Sequence, residues 1–121
     1  MLRNVLLAAT AALLVATQAA PTLAEGDAVT LEGEVVDLSC YLTDGRKGRA
    51  HKTCAKRCAD RGLPIGLLTD DGKVYLLLED HADEEPYEKA RKLAGERAKV
   101  QGKQFSERGL PGVLLHGAEG L

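Results

Sequence analysis

The 121-residue chain has no tryptophan, one phenylalanine and three tyrosines. It therefore lacks the aromatic platform on which proteins stack single-stranded nucleic acid. A formal net charge of −2 at pH 7 also leaves no broadly basic surface for neutralising a phosphate backbone, so nucleic acid is not expected as a partner. There is no C-x-x-C pair, and Cys58 is followed by Ala59 rather than histidine. Neither a thioredoxin-type dithiol nor covalent haem attachment is written into the chain. Ser39 and Ser106 stand in no nucleophile motif, and no glycine-rich phosphate loop occurs. These absences point away from an enzyme.

Long apolar runs are also missing. The longest uncharged one, Val5 to Ala16, follows Arg3 and spans about a dozen residues, short of the ~20 that cross a bilayer. A small-residue stretch ending Thr22-Leu23-Ala24 comes next. This is the layout of a secretory signal peptide, residues 1–24, cleaved after Ala24. Cleavage after Ala20 would place Pro21 at the next position, which is disfavoured. An uncleaved N-terminal anchor is the alternative. With no cysteine just after the apolar run, a lipid anchor is not expected. Residues 25–121 are then a periplasmic or secreted single domain with no stable membrane anchor, large enough for one modest core. Loss of Arg3 moves its formal charge from −2 to −3.

In such a compartment the cysteine count matters. Three cysteines cannot all pair within one chain. All lie in Cys40–Gly66, CYLTDGRKGRAHKTCAKRCADRGLPIG, with His51 among them. A helix predicted over about 49–61 ends at Gly62, with Pro64 beyond. It places His51, Cys54 and Cys58 at i, i+3 and i+7, within roughly 60° of one another around the helix. Cys40 is expected at the end of a first strand, 29–38, where it can fold back onto that face. Gly33 is expected to form a bulge in that strand.

The remaining elements follow from local signals. Residues 65–69 and 73–79 are apolar runs separated by Asp70-Asp71-Gly72, a hairpin signal. A second helix is expected over about 84–94, with Pro86 in its first turn and Gly95 after its end. Alternation predicts a strand over 97–105, and a last strand is expected over 112–116 before a fraying tail. Five strands with a helix between the third and fourth give the order of an OB-type barrel, an α+β, mainly β fold. The Cys/His helix is then an insertion between strands one and two. An α+β sandwich of the same elements is the alternative.

VDLSCYL, HKTCAKRCADRGLPIGLL, DGKVYLLL and the late KVQGK strand together resemble a group of small exported bacterial proteins with an OB-like core. The resemblance covers nearly all of the chain after the leader. It implies that Cys40 and the His51-x2-Cys54-x3-Cys58 pattern form a shared site, and it supplies no reaction.

Three chemistries suit these residues. Thiolates and imidazole are ligands for Zn(II) and Cu(I), and Cys40, His51, Cys54 and Cys58 make a Cys3His set. His51 and Cys58 lie roughly 10 Å apart along a helix, however, too far to share one ion easily. Two or three ligands, centred on Cys54 with Cys58 or His51, are expected. The second chemistry is a structural disulfide from Cys40 to Cys54 or Cys58, worth about 3 kcal/mol in the loop-entropy account. Thiol redox is the third. Residues 46–61 carry seven Lys/Arg and one Asp, and cations stabilise thiolates. Residues 79–88 hold six acids and no base, a complementary patch suited to steering a metal-delivering or redox partner. His81 lies in that acidic turn, and His116 on the last strand is expected to approach the cysteine helix.

Overall fold

The computed structural model describes residues 26–121. The leader assignment lies outside them. Over these residues the chain runs β1 (Asp27–Asp37), α1 (Leu38–Asp44), a 3-10 turn (Arg49–His51), α2 (Lys52–Asp60), β2 (Ile65–Thr69), β3 (Val74–Leu78), α3 (Glu85–Lys92), β4 (Arg97–Phe105) and β5 (Gly112–Gly120). The strands close in the order β1-β2-β3-β5-β4. β3 and β5 are parallel and the other pairs antiparallel. This is the OB-like barrel expected from element order, with helical segments between β1 and β2 and between β3 and β4. Because β1 pairs with β4, the sheet closes on itself and the sandwich alternative is set aside.

Closure depends on β1 serving two neighbours. Its first part, Asp27 to Glu34, pairs with β4, and its last part, Gly33 to Asp37, pairs with β2. Gly33 lies in the overlap, opposite both Thr69 and Ala98. A Cβ there would meet the Leu68 carbonyl oxygen at 2.3 Å, so only glycine lets the strands approach this closely. The register through Gly33 is unbroken, and the expected bulge is not at this position. The irregularity falls between Gln101 and Gly102, in the β4–β5 pairing.

The core is aliphatic. Val35, Ile65, Leu67, Val100, Val113 and Leu115 are all fully buried in the barrel. Each buried side chain of this kind contributes roughly 1.5–3 kcal/mol. α3 and the turn after it cap the barrel, α3 with Ala90 and the partly buried Tyr87, the turn with Ala94 and the partly buried Leu93. The turn after it is stitched to β1 by Gly95 N–H to Val35 O (2.7 Å) and Val35 N–H to Glu96 O (2.9 Å). β5 does not end at residue 116. Ala118, Glu119 and Gly120 pair with Val100, Lys99 and Ala98, and Leu121 N–H bonds Arg97 O at 3.1 Å. The long β4 gives the tail a partner, so the fraying expected from its small residues does not occur. Among the described residues no helix is long and apolar enough to cross a membrane.

Candidate metal centre

The β1–β2 connection carries the site. β1 ends at Asp37, whose Oδ1 accepts the Ser39 amide at 3.0 Å and starts α1 as its N-cap. Cys40 is therefore in the first turns of a short helix and not at a strand end. The sequence VDLSC carried that signal, an Asp two residues ahead of a Ser at the end of a β-branched run. α1 stops at Gly45 (φ 68°), whose N–H bonds Tyr41 O at 2.8 Å. The loop back is held by Gly48 N–H to Glu34 Oε1 at 2.6 Å. His51 lies in the 3-10 turn just ahead of α2, and Cys54 and Cys58 lie on α2 itself.

α2 is amphipathic in an unusual way. Ala55 and Ala59 are buried against the barrel core, and their small side chains bring the helix axis close. The neighbouring stripe holds Cys54 and Cys58, both half-buried. The opposite stripe is Lys52, Thr53, Lys56, Arg57, Asp60 and Arg61, which together line a surface hollow. Lys52 pairs with Glu96, and Lys56 donates to Lys92 O at 3.0 Å. Most of the positive charge read from the sequence thus lies on a different face from the thiols.

Donor atoms converge in two groups. Cys40 Sγ, a ring nitrogen of His51 and Cys54 Sγ lie within 4.8 Å of one another. A carboxylate oxygen of Asp37, Cys40 Sγ and Cys58 Sγ do the same. Cys40 is common to both, where the sequence pointed to Cys54 as the centre. His51 and Cys58 fall in different groups. These clusters are of a kind that can hold a metal ion, and all three cysteines are free thiols.

Asp37 is the residue that sequence reasoning missed. It is only 1% exposed. Its Oδ2 is buried with no partner in hydrogen-bonding geometry, and His51 Nε2 is in the same condition. The void that both residues line has no room for a water molecule. An unpaired carboxylate oxygen in such a place costs about 1–3 kcal/mol or more, which a bound cation would offset.

Asp37 also controls the thiols. The Cys40 thiol is pushed up to about 11, first by an S–H···O interaction with the Asp37 carboxylate, then by burial and by the negative charge of Asp37 and the neighbouring cysteines. Cys58 is raised as well, by Asp37 first, then by burial and by Cys54. Neither thiol makes a full hydrogen bond to Oδ2. The thiolate stabilisation expected from the basic run around Cys54 and Cys58 is reversed at Cys58, where the Asp37 carboxylate is the first cause of the shift.

No family model, curated protein or solved structure matches the chain. Function is therefore argued from the site. His116 does not approach it. His116 Nε2 lies 3.6 Å from Asp80 Oδ2, because β5 runs on the α3 side of the barrel. Neither His116 nor His81 belongs to either donor group. Two of the six acids in the run pair along α3, Glu85 with Lys89 at 2.9 Å and Glu88 with Arg91.

Proposed function

We propose that the protein is an exported, non-catalytic metal-binding protein whose β1–β2 connection holds a thiophilic divalent ion. The observation that carries this reading is the convergence of Cys40, His51 and Cys54 within 4.8 Å, beside a buried and unpartnered Asp37 oxygen. Sulfur, imidazole and carboxylate together suit Zn(II) better than Cu(I), which prefers sulfur alone. Export is supported by the apolar run Val5 to Ala16 and the Thr22-Leu23-Ala24 terminus of the leader. An exported metal-delivering or redox protein is the proposed partner, with the acidic run 79–88 as its steering surface.

One observation favours a second reading. Cys40 Sγ lies within 4.8 Å of both Cys54 Sγ and Cys58 Sγ, so oxidation would give a disulfide that staples α1 to α2 and leaves an interaction module. A thiol-redox role is less well supported, since a thiol held near 11 is mostly protonated at neutral pH.

Intact mass measured under native and denaturing conditions, with and without alkylation, tests these readings. Three alkylatable thiols and a metal lost on denaturation are expected. A mass two hydrogens light, one alkylatable thiol and no metal would establish the stapled module instead. Equal loading with Zn(II) and Cu(I) under reducing conditions would then remove the preference for zinc.

A further inference from the structure

We propose that the cluster is built for two divalent ions bridged by the Cys40 thiolate, with Asp37 and Cys58 completing a second subsite. The proposal rests on the metal-binding reading and extends it from one ion to two.

Three observations lead to it. The first is that the two donor triads share one residue. His51 and Cys54 complete one triad with Cys40 Sγ, and Asp37 and Cys58 complete the other, with the Cys54 and Cys58 thiols themselves in contact. His51 and Cys58 are seven positions apart on one continuous helical segment, roughly 10 Å along its axis. A single ion therefore leaves part of the donor set unused. A thiolate sulfur has lone pairs enough to bind two ions at once, and Cys40 occupies the shared position.

The second observation is charge. When metal-bound, Cys40, Cys54 and Cys58 are thiolates and Asp37 a carboxylate, a formal −4 with His51 neutral. One divalent ion on Cys40, His51 and Cys54 balances two thiolates, leaves Cys58 a neutral thiol and leaves the buried Asp37 charge uncompensated, at a desolvation cost. Two divalent ions neutralise the whole set. Of the cations nearby, Arg46 and Lys52 are paired with Asp44 and Glu96, and Lys47, which lines the same void as Asp37, makes no ion pair with it.

The third is Asp37 itself. Its Oδ1 is committed to the α1 N-cap, while Oδ2 is buried and unpartnered. One oxygen orients the carboxylate and the other is free to act as a monodentate ligand. Each ion then has three protein donors, Cys40/His51/Cys54 or Asp37/Cys40/Cys58, and tetrahedral coordination leaves a fourth position on each for water or an exogenous ligand. The ligand class is Zn(II) or the chemically similar Cd(II). No electron transfer is involved, and the protons displaced from the thiols go to solvent.

The test is stoichiometry, by native mass spectrometry of the reduced protein titrated with Zn(II). The expected result is two ions on the native chain. One ion is expected on Asp37→Asn and on Cys58→Ser, and one on His51→Ala and on Cys54→Ser. Cys40→Ser should weaken both ions. Loading with spin-active cadmium should give two resonances that split each other, a coupling that requires a shared ligand atom. Saturation of the native chain at one ion would overturn the bridged pair while leaving the metal-binding reading intact. Absence of any bound ion would overturn both. Two ions retained by Asp37→Asn and Cys58→Ser, or two cadmium resonances without mutual splitting, would also overturn it. The native-chain stoichiometry and the cadmium spectrum decide the matter even if a variant fails to fold.

Discussion

Asp37 and Cys58 stand 21 positions apart, yet a carboxylate oxygen of one and the sulfur of the other lie within 4.8 Å. The barrel makes this contact. Asp37 is the last residue of β1 and pairs with Ile65, the first of β2, which fixes where the connection starts and ends. Ala55 and Ala59 seat α2 on the core, which fixes how its cysteine stripe faces Asp37. Sequence neighbours such as Cys54 and Cys58 follow from helical spacing alone. The Asp37–Cys58 relationship requires the closed sheet.

Thiol reactivity should report the companion contact, Asp37 with Cys40, directly. Asn is as good an N-cap as Asp, so Asp37→Asn should keep α1 while removing the charge that holds Cys40 near 11. If the thiol returns towards 9.0, the thiolate fraction at pH 8 rises up to about 100-fold. Lower intrinsic nucleophilicity offsets part of that, leaving about a tenfold faster alkylation of Cys40. Rates followed by peptide mass mapping on metal-free protein check this. Unchanged rates would mean that Asp37 does not govern the thiol.

The same contact gives the metal-free fold a pH dependence of known sign. Cys40 has a higher pKa folded, about 11, than unfolded, near 9.0. Between these values the folded chain keeps a proton that the unfolded chain has lost, so stability falls as pH rises. The stabilisation is fully present below pH 9 and gone above about 11. Urea denaturation of metal-free protein from pH 8 to 11 should show a decline that Cys40→Ser reduces. Equal declines in the two proteins would assign the effect to other groups.

The seat of α2 should matter as much as the ligands it carries. Ala59 is 1% exposed against the barrel, and Ala59→Leu would overpack that contact at a cost of about 1–3 kcal/mol. Because the shift moves Cys54 and Cys58 relative to Cys40, zinc affinity should fall with every ligand still present. Competition with a chromophoric chelator measures it. Full affinity in a destabilised variant would show that the donors adjust independently of the helix seat.

At Gly33 the expected effect is global. An added Cβ meets backbone atoms of Leu68 and Thr69, and backbone cannot swing aside as a side chain can. Gly33→Ala should cost about 2 kcal/mol or more, seen as a lower urea midpoint with no change in which thiols react. A midpoint within error of the native chain would mean that β1 and β2 separate locally at no cost.

Much of the fold was legible because its signals are local. Asp70-Asp71-Gly72 marked the β2–β3 hairpin, and Pro86 and Gly95 bracketed α3. The alternation of 97–105 set β4 residue for residue. Less was legible where a long-range partner decides. Ala118 to Gly120 became strand because β4 extends beside them. Gly33 kept register because two strands crowd it, while the irregularity moved to Gln101/Gly102. At the site, Cys40, His51, Cys54 and Cys58 could be named from type and spacing. Asp37 could not, since its importance comes from burial, and acids at strand ends are usually solvated. His116 failed for the opposite reason, because its approach depended on a barrel packing that places it by Asp80.

Asp37 and Ile65 face each other across an antiparallel pair, so the connection leaves the barrel and re-enters it at one point. All five candidate donors fall inside that excursion. The candidate metal centre therefore draws all its donors from one insert, which the rest of the barrel holds through the seat under Ala55 and Ala59 and through Glu34, Lys92 and Glu96. A segment with these properties is transplantable. Spliced across the open end of another antiparallel strand pair with a small-residue contact beneath it, residues 37–65 would carry their whole donor set to a new host.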